Sequence, residues 1–220
     1  MKKELTINTI HLDDTLPKVF ENEQIPVSEI WKRNLTFSKG TYYVVEAASG
    51  TGKSSLCAYI YGNRRDSLGR ISFGDTDIRT LSPAQWQEIR RTQLAYLPQE
   101  LDLFPELTAL DNIRLKNGLT RHVDDEQIHA WLRMLGIESR ANYPVGKMSI
   151  GQQQRVAIIR CICQPFSFLI IDEPVSHLDN RNNEIAAQII LTEAERQNAA
   201  IIATSVGNRI GIPVNALLKL

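Results

Sequence analysis

Residues 46–55 read EAASGTGKSS. The run before them, YYVVE at 42–46, is apolar, aromatic and β-branched, which is strand composition. The run after the glycines, KSSLCAYIY at 53–61, reads as a helix. A glycine-rich turn feeding a helix leaves several backbone N–H groups unpaired and aimed at one spot, which suits a phosphate. Lys53 would add a point charge for the outer phosphates, and the Ser54 hydroxyl would be a ligand for Mg²⁺. The pattern G-x-x-x-x-G-K-[ST] asks for glycine where Ala47 stands; Gly52, Lys53 and Ser54 then fit it. A methyl at 47 is tolerable if φ there is negative and costly if it is positive.

Two more buried-strand runs follow, FSFLII at 166–171 and AAIIA at 199–203. Continuous apolar runs separated by helical stretches imply an α/β fold with a mostly parallel sheet covered on both faces. The first of these runs stops at Asp172-Glu173-Pro174. Such a strand end puts a Mg²⁺-holding carboxylate beside a second one able to polarise an attacking water. An acidic helix cap is the plainer reading, and the phosphate loop upstream outweighs it. Between the loop and this strand the chain is polar and helical. Ser82-Pro83-Ala84-Gln85 combines a capping box with proline at the first helical position. Asp124 caps a helix whose Ile128, Trp131, Leu132 and Leu135 fall on one face, with Gly136 ending it. That makes Trp131 a core anchor. Residues 85–160 read as a helical subdomain inserted into a nucleotide-binding core. Within residues 1–45, TINTIHL and LTFSKG read as strands of a small antiparallel sheet that leads into the core; the charged, proline-bearing stretch between them has no clear assignment.

The 220 residues carry 25 basic and 25 acidic side chains. The length suits one α/β domain with small subdomains. The neutral balance argues against a broad nucleic-acid surface. Lys2, Lys3 and Glu4 lead into mixed polar sequence, unlike a secretory leader. No run reaches the roughly 20 apolar residues needed to cross a bilayer. A cytoplasmic protein is expected, peripheral on the membrane's inner face if a membrane partner docks it. Cys57, Cys161 and Cys163 sit in apolar helical contexts and read as small buried hydrophobes, since no His or Cys completes a metal set around the C-x-C pair.

Two further segments carry a resemblance. MSIGQQQRVAIIR at 148–160 precedes the acidic strand, and YLPQELDLFPELTALDNI at 96–113 follows the loop. In this chain order they resemble the signature and Q-loop of ATP-binding cassette (ABC) ATPases, over about residues 30–205. The Q-loop text is most similar to the lipoprotein-release and macrolide-export subfamily. The resemblance implies a P-loop core, an antiparallel β subdomain and an inserted helical subdomain, with ATP and Mg²⁺ as ligands. Ala47, Ala48, Ser49, Gly50, Thr51, Gly52, Lys53, Ser54 and Ser55 would form the phosphate loop, with Asp172 and Ser54 at the metal and Glu173 as general base. Gln99 would be the Q-loop glutamine, helping to order Mg²⁺ and water. Ser149, Gly151 and Gln152 would be the signature, reaching the γ-phosphate bound to the opposite subunit, and Ser176-His177-Leu178-Asp179 the D-loop. Phe20 is either an adenine-stacking aromatic or a core phenylalanine. The implied partners are a second cassette, identical or not, and a transmembrane permease docking near Gln99, Leu103, Phe104 and Pro105.

Three residues depart from the family pattern: Ala47 for the first loop glycine, Ile150 for the first signature glycine, and Ser205 for the switch histidine after Thr204. Serine is too short to bridge a γ-phosphate and the base without a water, so slow hydrolysis is expected. The reading is therefore a transporter ATPase. A degenerate cassette paired with a more active one, and a soluble non-transport cassette protein, remain as alternatives.

Overall fold

The computed structural model describes residues 5–23, 27–175, 177–207 and 209–220. In chain order the elements are β1 (Thr9–Pro17), β2 (Asn34–Ser38), β3 (Tyr42–Glu46), α1 (Lys53–Tyr61), β4 (Ser67–Phe73), β5 (Thr76–Asp77), α2 (Pro83–Thr92), β6 (Leu94–Leu97), α3 (Ala109–Asn117), α4 (Asp125–Met134), α5 (Ile150–Ile162), β7 (Phe168–Asp172), α6 (Asn180–Arg196), β8 (Ala200–Ser205) and β9 (Ala216–Lys219).

Five strands form one parallel sheet in the order β6-β7-β8-β3-β9. Its central strands are apolar up to their polar C-terminal ends because both faces are covered, and their side chains alternate between two cores. Phe168, Ile170, Ala200 and Ile202 point into one core, shared with α1, α2 and the second sheet. Leu169, Ile171, Ile201 and Ala203 point into the other, shared with α3, α4, α5 and α6. The second sheet is antiparallel, β2-β1-β4-β5, and takes in both N-terminal strands expected from sequence.

Local signals set the helix ends. Ser82 and Gln85 form the reciprocal capping box at α2, with Pro83 in its first turn. Asp124 accepts the Gln127 N–H at the start of α4, and Gly136 follows that helix with a φ of 67°. Trp131 is buried in the core beneath α4, and the three cysteines are free and buried. Desolvation pushes the Cys161 and Cys163 thiols up to about 12, which leaves them inert near neutral pH.

The stretch 85–160 is not wholly an inserted helical body. Its residues 94–97 form β6, which pairs with β7 at the edge of the large sheet. Four residues (LAYL) are too short for periodicity to separate a strand from the helical pattern around them. The strand read at 166–171 begins two residues later, at Phe168, and reaches Asp172, because pairing with β8 brings Asp172 opposite Thr204.

Candidate functional site

The ends of three parallel strands converge at the C-terminal edge of the large sheet, where open α/β sheets place their ligands. From β3 the chain turns through residues 47–52 into α1. Gly50 and Gly52 have φ of 81° and 100°, a region closed to most side chains. Gly52 has a second constraint: a Cβ there would lie 3.1 Å from the Trp31 ring and 3.2 Å from the Phe20 ring. Ala47 is not among the residues with positive φ, so its methyl adds no backbone strain. The loop keeps its shape without the first glycine.

Lys53 is only 5% exposed. Its ammonium donates to the carbonyls of Ala47 (3.3 Å) and Ala48 (2.8 Å), so it lies under the loop it serves. It also lies 3.6 Å from Glu173 Oε1. Ser54 is exposed in the first turn of α1. Ser55 Oγ accepts a hydrogen bond from Arg64 (2.8 Å), which turns it toward that side chain.

From β7 come Asp172, buried, and Glu173, whose φ is 51°. Thr204 of β8 ties the two together. Its hydroxyl donates to Asp172 Oδ1 (2.5 Å) and accepts the Glu173 backbone N–H (3.1 Å). A left-handed backbone at a non-glycine residue is strained, and this bond helps to hold it. Ser205 pairs with Glu46 in the parallel register, and its carbonyl accepts the Ala47 N–H at 3.2 Å. Glu46 pairs with Arg209, whose guanidinium holds the Glu46 carboxyl below the ordinary range.

The residues Ser149, Ile150, Gly151 and Gln152 stand apart from the loop, at the start of α5. Ser149 and Gln152 form a reciprocal capping box with each other. Ile150 is 49% exposed. Gly151 is where the segment after β7 presses closest, since a Cβ there would come within 2.8 Å of the His177 carbonyl. The same contact holds Gln154, which is buried. Its amide donates to the Pro174 carbonyl and accepts the His177 N–H at 3.1 Å. Asp179 caps α6 through the Asn182 N–H, and Ser176 lies outside the described residues. Gln99 is exposed in the turn beyond β6, two residues after Leu97, the partner of Ile171 in β7.

Sequence reading missed three residues that shape this site. Gln154 had a signal: with Ala157, Ile158 and Cys161 it occupies one buried helical face, and a lone amide there needs partners. Thr204 and Trp31 had none. Trp31 Nε1 donates to the Thr51 carbonyl (3.0 Å) and props the phosphate loop from behind.

Among the described residues no group of three or more His, Cys, Asp or Glu is suited to a metal ion. The oxygen donors present, the Ser54 hydroxyl and the Asp172 carboxylate, match the hard-cation preference of Mg²⁺, which usually fills its remaining positions with water and phosphate oxygens.

Comparison with known proteins identifies the family. The family model described as ABC transporter matches residues 31–176. The chain is 31% identical over 174 residues to the uncharacterized ABC transporter ATP-binding protein Rv0073 of Mycobacterium tuberculosis, covering 78% of this chain and 53% of that protein. It thus spans about half the length of that relative. It is 36% identical over 162 residues to the lipoprotein-releasing system ATP-binding protein LolD of Koribacter versatilis, covering 71% of this chain and 73% of that one. Among solved structures, the dimeric bacterial ABC transporter cassette MJ0796 superposes with a TM-score of 0.76 at 25% identity, over 96% of this chain and 94% of that one. From the phosphate loop to the strand-end carboxylates, the chain belongs to the ABC transporter family as one of its ATP-binding cassettes.

Proposed function

We propose that this cassette is the motor subunit of a membrane transporter and hydrolyses Mg-ATP slowly. The observation that carries this is the convergence of Lys53, Glu173 and Asp172 beneath one glycine loop, with Glu173 Oε1 3.6 Å from the lysine ammonium. On binding ATP, Lys53 exchanges the Ala47 and Ala48 carbonyls for the β- and γ-phosphates, and the loop N–H groups cradle them. Ser54 and Asp172 would hold Mg²⁺, which would supply charge neutralisation at the phosphates. Glu173 takes the proton of the attacking water, with Gln99 helping to order that water. Phe20, whose ring lies beside Gly52, stacks on the base in this reading. Two cassettes close head to tail, so that Ser149, Gly151 and Gln152 of one complete the site of the other. ATP drives closure because it binds the closed pair better than the open one. The cassette works at the cytoplasmic face of the membrane, held there by a permease that docks on Gln99, Leu103, Phe104 and Pro105.

Light scattering on Glu173→Gln, with and without Mg-ATP, tests the motor. A shift from monomer to dimer supports a self-sufficient pair. One observation favours a second reading: Ile150 is 49% exposed where a glycine would meet the partner's phosphate. A β-branched side chain there crowds the helix N-terminus. If ATP binds and the protein stays monomeric, closure requires a different, more active cassette.

Ser205→His should speed hydrolysis by about ten- to a hundredfold or more, by analogy with other positioned donors in catalytic sites. Phosphate release at saturating Mg-ATP measures it, and no gain over the parent would remove serine as the cause of slow turnover. By contrast, Ala47→Gly should leave ATP affinity within about fivefold, since exchanging these residues at an ordinary φ is worth ~0.5–1 kcal/mol. Calorimetric titration with a non-hydrolysable ATP analogue reads this directly.

A further inference from the structure

A cavity of about 110 Å³ opens behind the Q-loop turn, between the end of α1, β6, α3 and α5. Tyr61, Tyr96, Leu101, Lys116 and Arg160 line it, and the phosphate loop contributes nothing to it. Its charge is unbalanced. Lys116 and Arg160 have no carboxylate within ion-pair distance among the described residues. Arg160 donates through Nη1 to the Asp102 carbonyl (2.6 Å), while its buried Nε has no hydrogen-bond partner. Burial draws the Lys116 ammonium below its ordinary pKa. Of the other titratable groups in the lining, burial keeps Tyr61, Tyr96 and Cys161 neutral, and Asp102 is exposed at the rim. Nearby Arg90 is already committed to the carbonyls of Tyr61 (3.1 Å) and Gly62 (2.9 Å).

Half-buried cations without counter-charge are costly, and a guanidinium and an ammonium lining one cavity suit a carboxylate. The rim says what carries that carboxylate. Phe104 is 45% exposed, and the Arg160 guanidinium lies 5.5 Å from its ring centroid. A free anion would leave that apolar rim in water; a helix crossing Leu103, Phe104 and Pro105 would cover it. We propose that the cavity receives an aspartate or glutamate side chain, presented by a cytoplasmic helix of the membrane partner and held between Lys116 and Arg160. The inference rests on the docking reading given above and adds the chemistry by which the partner is recognised.

Photo-crosslinking in the native host tests both levels separately. Benzoylphenylalanine replaces Phe104 at the rim, a diazirine lysine analogue replaces Lys116 in the cavity, and the adducts are mapped by peptide sequencing. Both positions should capture the same multi-span membrane protein, with the Lys116 adduct within one helical turn of an acidic residue. Lys116→Met and Lys116→Glu should then lower the affinity for that partner by roughly thirtyfold or more, with thermal melting of the isolated cassette unchanged for Lys116→Met. Exchanging the mapped acid for lysine should restore binding to Lys116→Glu. Adducts from Phe104 alone, or a Lys116 adduct with no acid nearby, would overturn the inference and leave docking intact. No membrane-protein adduct from either position would overturn both.

Discussion

Glu173→Gln should bind ATP as well as the parent and hydrolyse it about 10²–10⁴-fold more slowly, the usual worth of a positioned general base. The proposed roles explain that separation. Affinity would come from the loop N–H groups and from Lys53, which is buried and donates to the loop carbonyls. Glu173 contributes a basic oxygen 3.6 Å from the lysine, on a strained backbone tied down through Thr204. The amide keeps the size and loses the basicity. Phosphate release under saturating Mg-ATP, set beside a calorimetric affinity, checks both halves. A residual rate within tenfold of the parent would place the base on another residue.

Gln154→Leu should lower stability by about 2–6 kcal/mol, because two backbone groups lose their partner at once and an unsatisfied buried group costs ~1–3 kcal/mol. The groups are the Pro174 carbonyl and the His177 N–H. In a domain of this size that corresponds to a fall of roughly 4–24 °C in melting temperature. Gln154→Glu should do little better, because a carboxylate oxygen would then face the Pro174 carbonyl. Thermal melting followed by circular dichroism reads the loss. Hydrolysis should fall with it, because this amide is what joins the start of α5 to the segment leaving Glu173. A leucine variant that melts within 2 °C of the parent, against the ~2–4 °C expected per kcal/mol, would mean that water replaces both bonds.

How much was legible in the sequence depended on how local each cause was. The helix over 53–61 matches α1, because glycines, lysine and serine act within one turn. The capping box at Ser82 and the caps at Asp124 and Gly136 are equally short-range. The apolar runs of β3, β7 and β8 announced a sheet buried on both faces, and the alternation of their side chains between two cores bears that out. The strand β6 was hidden, because four residues carry no period and their strand character comes from pairing with β7.

The site divides along the same line. Sequence alone determined the phosphate loop, the Asp172-Glu173 strand end and the order of the motifs, since each is a short string whose chemistry its own neighbours supply. Only the tertiary structure decided that Ala47 adds no backbone strain, because that depends on a φ angle set by the whole turn between β3 and α1. The same holds for Thr204 bridging the two carboxylate residues, for Trp31 propping the loop and for Gln154 fastening α5 to the segment after β7. Each of these bonds joins residues twenty or more positions apart. Hydrogen bonds of that span exist only once the parallel sheet has brought the strand ends together and the two cores have fixed the helices against it.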